Sequence, residues 1–413
     1  MIFPPPSPSG PPPANLTVVC SYFPLPADRG DPVRVLMILR ALARARPYSL
    51  LVVRRPDTTP ARLEELRDAL PGVRIEDYPA SPYRAGRLGP AGRFPEALAS
   101  GLPPWVRTRY SRPLHERLRT RTGSGVAIGE AAGAYFAGTG LRWHWDKANV
   151  LAASSRVDTT EAPSPAYRLR ARYLVTVSTR YEARTLARCH TVSVTSAAEA
   201  ERLHRWHGRW ADFTLPSAVT IPRGHRPRPT EGRLVWLGSF AYQSNVLGLR
   251  RFLVEGWPSL HRAGYTMTLV GSGLTDDVAT ALAAHPGITV AGYVEDLRAV
   301  LGPARAAVVP LWSGAGVKLK TLTLLAHSLP VFSTKVGAEG LPATPAVHLA
   351  DTPSDLAAAI RAASPATLDA MAVEAQRLVS AEFGEARFAE RLIASMARLG
   401  YLDQAGPQAA EGF

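Results

Sequence analysis

Three short apolar runs in the second half of the chain each stop on a glycine or a proline. Arg233–Leu237 runs into Gly238, Thr266–Val270 into Gly271, and 307–309 into Pro310. Between them, 245–255, 276–284 and 296–301 carry apolar residues at helical spacing, and 330–332 and 347–349 are further short apolar runs. Strands that alternate with helices in this way cannot pair by tight hairpins. They fold as a parallel sheet covered on both faces by its own helices, a doubly wound α/β domain. Ligands of such domains sit beyond the carboxyl ends of the strands, where these glycines fall.

The first half repeats the pattern less cleanly. Residues 16–20 read as a strand, 22–31 as a loop, 33–45 as a helix and 50–53 as a second strand. From 82 to 121 arginine, proline and glycine blur any period. Regularity returns with a helix over 168–186, a strand over 191–195, a helix over 197–206 and a short strand over 219–221. The predicted organisation is a disordered Pro-rich tail over 1–14 and a first Rossmann-like domain over 15–222. A linker over 223–232 and a second Rossmann-like domain over 233–383 follow, then a helix over 384–400 that crosses back to the first domain and a flexible tail over 401–413. Two such domains in tandem lead us to expect a substrate site in the cleft between them.

Composition narrows the function classes. Cys20 and Cys189 are the two cysteines of 413 residues, too few for a disulfide framework or a cysteine-based metal site. No apolar stretch approaches the roughly 18 residues of a spanning helix and the start lacks a signal-peptide pattern, so a cytoplasmic location is expected. The net charge of +14 comes from arginine spread along the chain. Without a concentrated basic face or a known module it does not indicate nucleic-acid binding; attraction to anionic small molecules or peripheral contact with an anionic membrane are the readings left open, as is the oligomeric state.

The loops supply the chemistry. Residues 312–316 (WSGAG) lie between an apolar strand and a helix, where glycines admit a ligand and successive N–H groups attract an anion. Gly314, Ala315, Gly316, Val317 and Lys318 would form a diphosphate cradle with Lys320, although a flexible loop with solvated lysines fits the same residues. Gly238 with Ser239, and Gly271, mark two more strand ends. Tyr293 follows another, where a base could stack or the ring could simply pack. In the first domain Gly30 and Asp31 close the first loop on the acceptor side. His144, Asp146 and Asn149 form a polar cluster able to position a hydroxyl acceptor or move a proton, or to serve as a cap and a structural histidine. The G-x-G-x-x-G turn of dinucleotide enzymes, the P-loop, the G-x-S-x-G elbow and the zinc-hydrolase motifs are absent.

The stretch VVPLWSGAGVKLKTLTLLAHSLPVFSTKVGAEGL, residues 308–341, resembles the donor-binding segment of the retaining GT-B glycosyltransferases of group 1, the family 4-like branch. WLGSFAYQSNVLGLRRFLVEGWPSL (236–260), SYFPLPADRGDPVR, WDKANV, and Arg180, Tyr181, Glu182 and Arg188 are similar to further family segments, so the resemblance spans roughly 16–395. It implies a GT-B fold with an acceptor-binding first domain and a nucleotide-sugar-binding second domain. It implies a nucleotide sugar as donor, a small-molecule or glycan acceptor, no cofactor or metal, and Lys320 as the electrophilic group in natural-product or glycan biosynthesis. The chain departs from the family at Thr323, where a glutamate grips the donor ribose, at Ser328 and Arg223, and at His190 in place of an aspartate. A threonine makes fewer bonds to a diol than a carboxylate. Three readings follow: a deoxyribose donor such as a thymidine diphosphate sugar, a ribonucleotide donor held by another residue, or a degenerate partner subunit that binds without transfer.

Overall fold

The structure, a computed structural model, describes residues 16–21, 23–26, 30–54, 58–81, 101–152, 165–222, 229–314 and 316–403. The chain divides into two compact units, Met1–Leu215 with Phe388–Phe413, and Pro216–Arg387.

The first unit holds a parallel sheet of β1 (Leu16–Cys20), β2 (Ser49–Arg54), β3 (Arg74–Pro79), β4 (Thr122–Ile128), β5 (Gly140–Asp146), β6 (Thr191–Val194) and β7 (Phe213–Thr214), in the order β3-β2-β1-β4-β5-β6-β7. All five side chains of β1 are buried. A central parallel strand covered on both faces reads as an unbroken apolar run, which is why it is legible in the sequence. The helix Gly30–Ala45 starts earlier than its apolar period, so Gly30 and Asp31 form its first turn and not the end of a loop. Strands β3, β4 and β5 carry no such signal. TGSGVAI and GLRWHWD break their apolar runs with glycine, arginine and histidine, yet both β4 and β5 are largely buried. Glycine suits β4 because a side chain at Gly125 would meet the Trp143 ring of β5 at 2.5 Å.

The second unit holds β8 (Arg233–Leu237), β9 (Thr266–Val270), β10 (Ile288–Gly292), β11 (Ala306–Val309), β12 (Val331–Ser333) and β13 (Val347–Leu349), all parallel, in the order β10-β9-β8-β11-β12-β13. Alternate residues feed opposite faces. Val235, Val270, Ala307 and Val309 join one core, while Leu234, Trp236, Met267, Leu269, Ala306 and Val308 join the other. The predicted strand over 219–221 is only a bridge between Val219 and Gly384. The predicted linker falls partly outside the described residues. No helix among the described residues is long and apolar enough to cross a membrane.

Candidate functional site

In the second sheet the chain runs outward from β8 to β10, then returns to β11 beside β8 and runs the other way. The loops after β8 and β11 therefore diverge and leave a crevice at the switch point. Most of the residues predicted to bind a donor lie on these two loops and the helix after the second, whereas Gly271 and Tyr293 follow β9 and β10.

After β8 the backbone turns sharply against its neighbour. Gly238 N donates to Val270 O (3.0 Å) and Phe240 N to Ser272 O (2.8 Å), while the partly buried Ser239 hydroxyl faces Ser272 O at 3.4 Å. A side chain at Gly271 would lie 1.7 Å from the Gly238 carbonyl oxygen. Gly271 thus serves the close approach of two strand ends, a packing role that lets both loops hug the sheet.

After β11, Gly314 (φ +117°) and Gly316 (φ +81°) take left-handed conformations that turn the chain into the helix Leu319–Ala326. Ala315 lies outside the described residues. Val317 is clamped from the far side, since a side chain at Gly340 would meet its Cγ2 at 2.5 Å. The Thr334 hydroxyl donates to the Leu311 carbonyl, and Thr321 Oγ1 to Gly337 O at 2.7 Å, fixing both ends of the glycine turn.

The two lysines differ. Lys318 Nζ donates to Gly316 O (2.6 Å) and faces Glu339 Oε2 at 3.4 Å, so it braces the loop. Lys320 Nζ donates to Asn245 Oδ1 (2.7 Å), and Asn245 Nδ2 donates to Ser239 O (2.8 Å), which ties the two loops together. Lys320 stands 5.8 Å from the Trp236 ring centroid and has no ion-pair partner among the described residues. Burial, with the charge of Lys318 added, pulls its pKa down to about 7. A cation held in place without a counter-ion is poised for an anion. Asn245 and Glu339 were not singled out in the sequence, although both lie in the segments that resemble the family.

Thr323, one turn into the helix, spends its hydroxyl hydrogen on Leu319 O (2.9 Å) and keeps only acceptor capacity. Tyr293 is exposed and follows Gly292 (φ +66°) at the end of β10, two strand spacings, or about 10 Å, from β8.

The first unit corrects two expectations. His144 is buried in β5, stacked on Phe213 at 5.3 Å, with Nδ1 2.9 Å from Thr191 Oγ1 and Nε2 3.1 Å from Ser193 Oγ. Burial lowers its pKa to about 4 against the pull of Asp146. A ring enclosed on both nitrogens is a core histidine and not an acid or base for substrate. Asp146 is likewise buried, paired with Arg34 Nη2 (2.8 Å) and Nε (3.2 Å), and accepting from Ser193 Oγ (2.9 Å). It therefore acts as an anchor for the first helix. Asn149, partly buried, donates its backbone N–H to Glu130 Oε1 (2.8 Å). Gly30 and Asp31 open the first helix beside β1; the Asp31 side chain lies outside the described residues. Among the described residues no group of three or more His, Cys, Asp or Glu could hold a metal ion.

Residues 231–364 match the model of the family described as glycosyl transferases group 1. That segment is similar to the group-1 glycosyl transferases. The matched group-1 segment contains both loops of the switch point and Lys320, Asn245 and Glu339. Solved structures extend the likeness to the fold of nearly the whole chain. TarM is 9% identical over 92% of this chain and 98% of its own, with a TM-score of 0.66. Alr3699/HepE of Anabaena, in complex with UDP and glucose, is 12% identical over 93% and 99%, at 0.63. WaaG, a glycosyltransferase involved in lipopolysaccharide biosynthesis, is 14% identical over 92% and 99%, at 0.61. The chain thus has the GT-B fold of two Rossmann-like domains. No curated protein matches it in sequence.

Proposed function

We propose that this protein transfers a sugar from a nucleoside diphosphate donor to an acceptor hydroxyl, with retention, and that the second domain grips the donor diphosphate. The observation that carries the reading is Lys320, a cation with no counter-ion among the described residues, between two switch-point loops at the start of an eight-residue helix. The ammonium and the helix N-terminus would both stabilise charge as the nucleotide departs. Gly314, Gly316 and Val317 would bring backbone N–H groups to the phosphates, with Lys318 holding the turn.

The HepE structure contains UDP, which supports a nucleoside diphosphate as the ligand class. Thr323 supports a finer choice. Its hydroxyl is engaged by Leu319 and cannot grip a ribose diol as a carboxylate would, which favours the deoxyribose of a thymidine diphosphate sugar. Calorimetry with thymidine, uridine, guanosine and adenosine diphosphates tests both levels. Thymidine diphosphate should bind tightest; equal affinity for uridine would remove the refinement, and no binding of any would remove the donor site. The same threonine favours a second reading, a subunit that binds the donor without transfer. Mass spectrometry separates the two, since an enzyme yields a glycoside and a binding subunit yields none.

A further inference from the structure

The first unit contains a cavity of about 530 Å³ that the donor reading does not use. Arg107, Arg184 and Arg188 line it, with Tyr110 and His115, and no carboxylate stands among the described lining residues. Arg107 ends the helix Pro104–Arg107, and Arg184 lies in the last turn of the helix Pro165–Leu186, with Arg188 just beyond. Cations at helix ends are common because they offset the helix dipole. That effect does not explain three guanidiniums converging on one hollow, two of them four residues apart at the end of one helix, where like charges repel. Neither Arg184 nor Arg188 has an ion-pair partner among the described residues; Arg188 Nη1 donates to the Arg184 carbonyl (3.2 Å).

The polar groups beside them are already committed. His115 Nε2 lies 2.7 Å from Ala137 O, which can only accept, so Nε2 carries the hydrogen and Nδ1 accepts from the Tyr110 hydroxyl at 2.6 Å. The Tyr181 hydroxyl donates to Glu130 O (2.7 Å) and Thr185 Oγ1 to Tyr181 O (2.8 Å). The guanidiniums of Arg184 and Arg188 are what remains to meet a ligand. Their planar N–H forks match phosphate oxygens, and the volume lies within the usual range for small-molecule sites of roughly 300–1,000 Å³.

The cavity also lies at the wrong edge of the sheet for an active site. Ala137 precedes β5, Arg188 precedes β6, and the helix Arg112–Arg119 that carries His115 leads into β4. These are amino ends of strands, about 20 Å along β4 and β5 from the carboxyl ends where substrates of such sheets bind.

We infer that the arginine-lined cavity of the first domain is a second binding site, for a phosphate-bearing ligand, separate from the donor site. Inorganic pyrophosphate serves as the probe, by calorimetry on the full chain carrying Lys320→Ala, so that binding at the proposed donor loop does not contribute. Adding Arg184→Ala and Arg188→Ala should weaken the remaining affinity at least tenfold, and rising salt should weaken it as well. Both arginines are exposed, and an unchanged circular dichroism spectrum confirms that the fold is kept. A second arm uses vesicles of phosphatidylcholine with and without phosphatidylglycerol. Arginine-dependent binding to the anionic vesicles alone supports the site with a lipid headgroup as its phosphate source. Pyrophosphate binding without vesicle binding supports it with a soluble phosphate. The inference is overturned if neither probe binds, or if binding is unchanged when the two arginines are removed. Because the test is made without Lys320, its failure leaves the donor reading untouched, and failure of the donor reading leaves this one standing.

Discussion

Lys320 is the residue on which most depends. Free, its pKa is lowered to about 7 by burial and by Lys318, so its charge fades as pH rises through that value. A bound diphosphate would hold the proton and raise the pKa. Affinity for a nucleoside diphosphate should therefore be lost as pH climbs from 7 to 8, by about fivefold over that unit, and Lys320→Met should flatten the profile in calorimetry. Lys320→Ala at fixed pH should weaken binding more than about tenfold; an unchanged isotherm would remove the lysine from the site. Ser328 offers a test of backbone conformation. It follows the helix Leu319–Ala326 with φ +57°, a left-handed position where the resembled family has glycine. Ser328→Gly should stabilise the protein by about 1 kcal/mol in urea unfolding, with donor affinity unchanged.

At the scale of elements, the first domain is organised around the turn that follows β5. Glu130 Oε1 accepts from Ala148 N (3.0 Å) and Asn149 N (2.8 Å), Glu199 Oε2 from Val150 N (2.8 Å), and Glu182 from Leu151 N (3.0 Å) and Ala152 N (3.3 Å). Three carboxylates so satisfy five backbone donors that burial would otherwise leave unpaired. Glu182 also pairs with the fully buried Lys147 (2.6 Å) and with His207 Nε2 (2.8 Å). Burial alone would push Glu182 up, but Lys147 and His207 outweigh it and bring its pKa to about 2. A depressed carboxylate contributes stability that is in place above its ordinary pKa of about 4.5 and is lost as pH falls from there toward 2. Glu182→Gln should cost about 3–5 kcal/mol in chemical denaturation and remove this part of the acid sensitivity. A loss below 1 kcal/mol would show the cluster to be dispensable. The sequence resemblance picks out Glu182 and WDKANV separately; nothing in their spacing shows that one caps the other, because 30 residues separate Glu182 from Ala152.

At the scale of the molecule, the proposed donor site belongs to one of two sheets of the same design. Nucleotide binding should slow hydrogen exchange most in peptides covering 236–245 and 312–324, the two switch-point loops and the helix after them. Maximal protection in peptides of 16–215 instead would place the donor elsewhere. The doubly wound class, the second sheet and the glycine turn could be read in the chain because parallel strands buried on both faces leave unbroken apolar runs such as LTVVC and AAVV, with glycines at their ends. Tertiary structure alone decided which polar residues face a ligand. His144 and Asp146 look like acceptor chemistry in sequence but are spent inside the fold on Thr191, Ser193 and Arg34. Lys318 and Lys320 look alike in sequence, yet among the described residues only the former meets a carboxylate. Hydrophobic period is a local property, set by neighbours within a turn or a strand, whereas the pairing of a charge depends on residues brought together from distant parts of the chain.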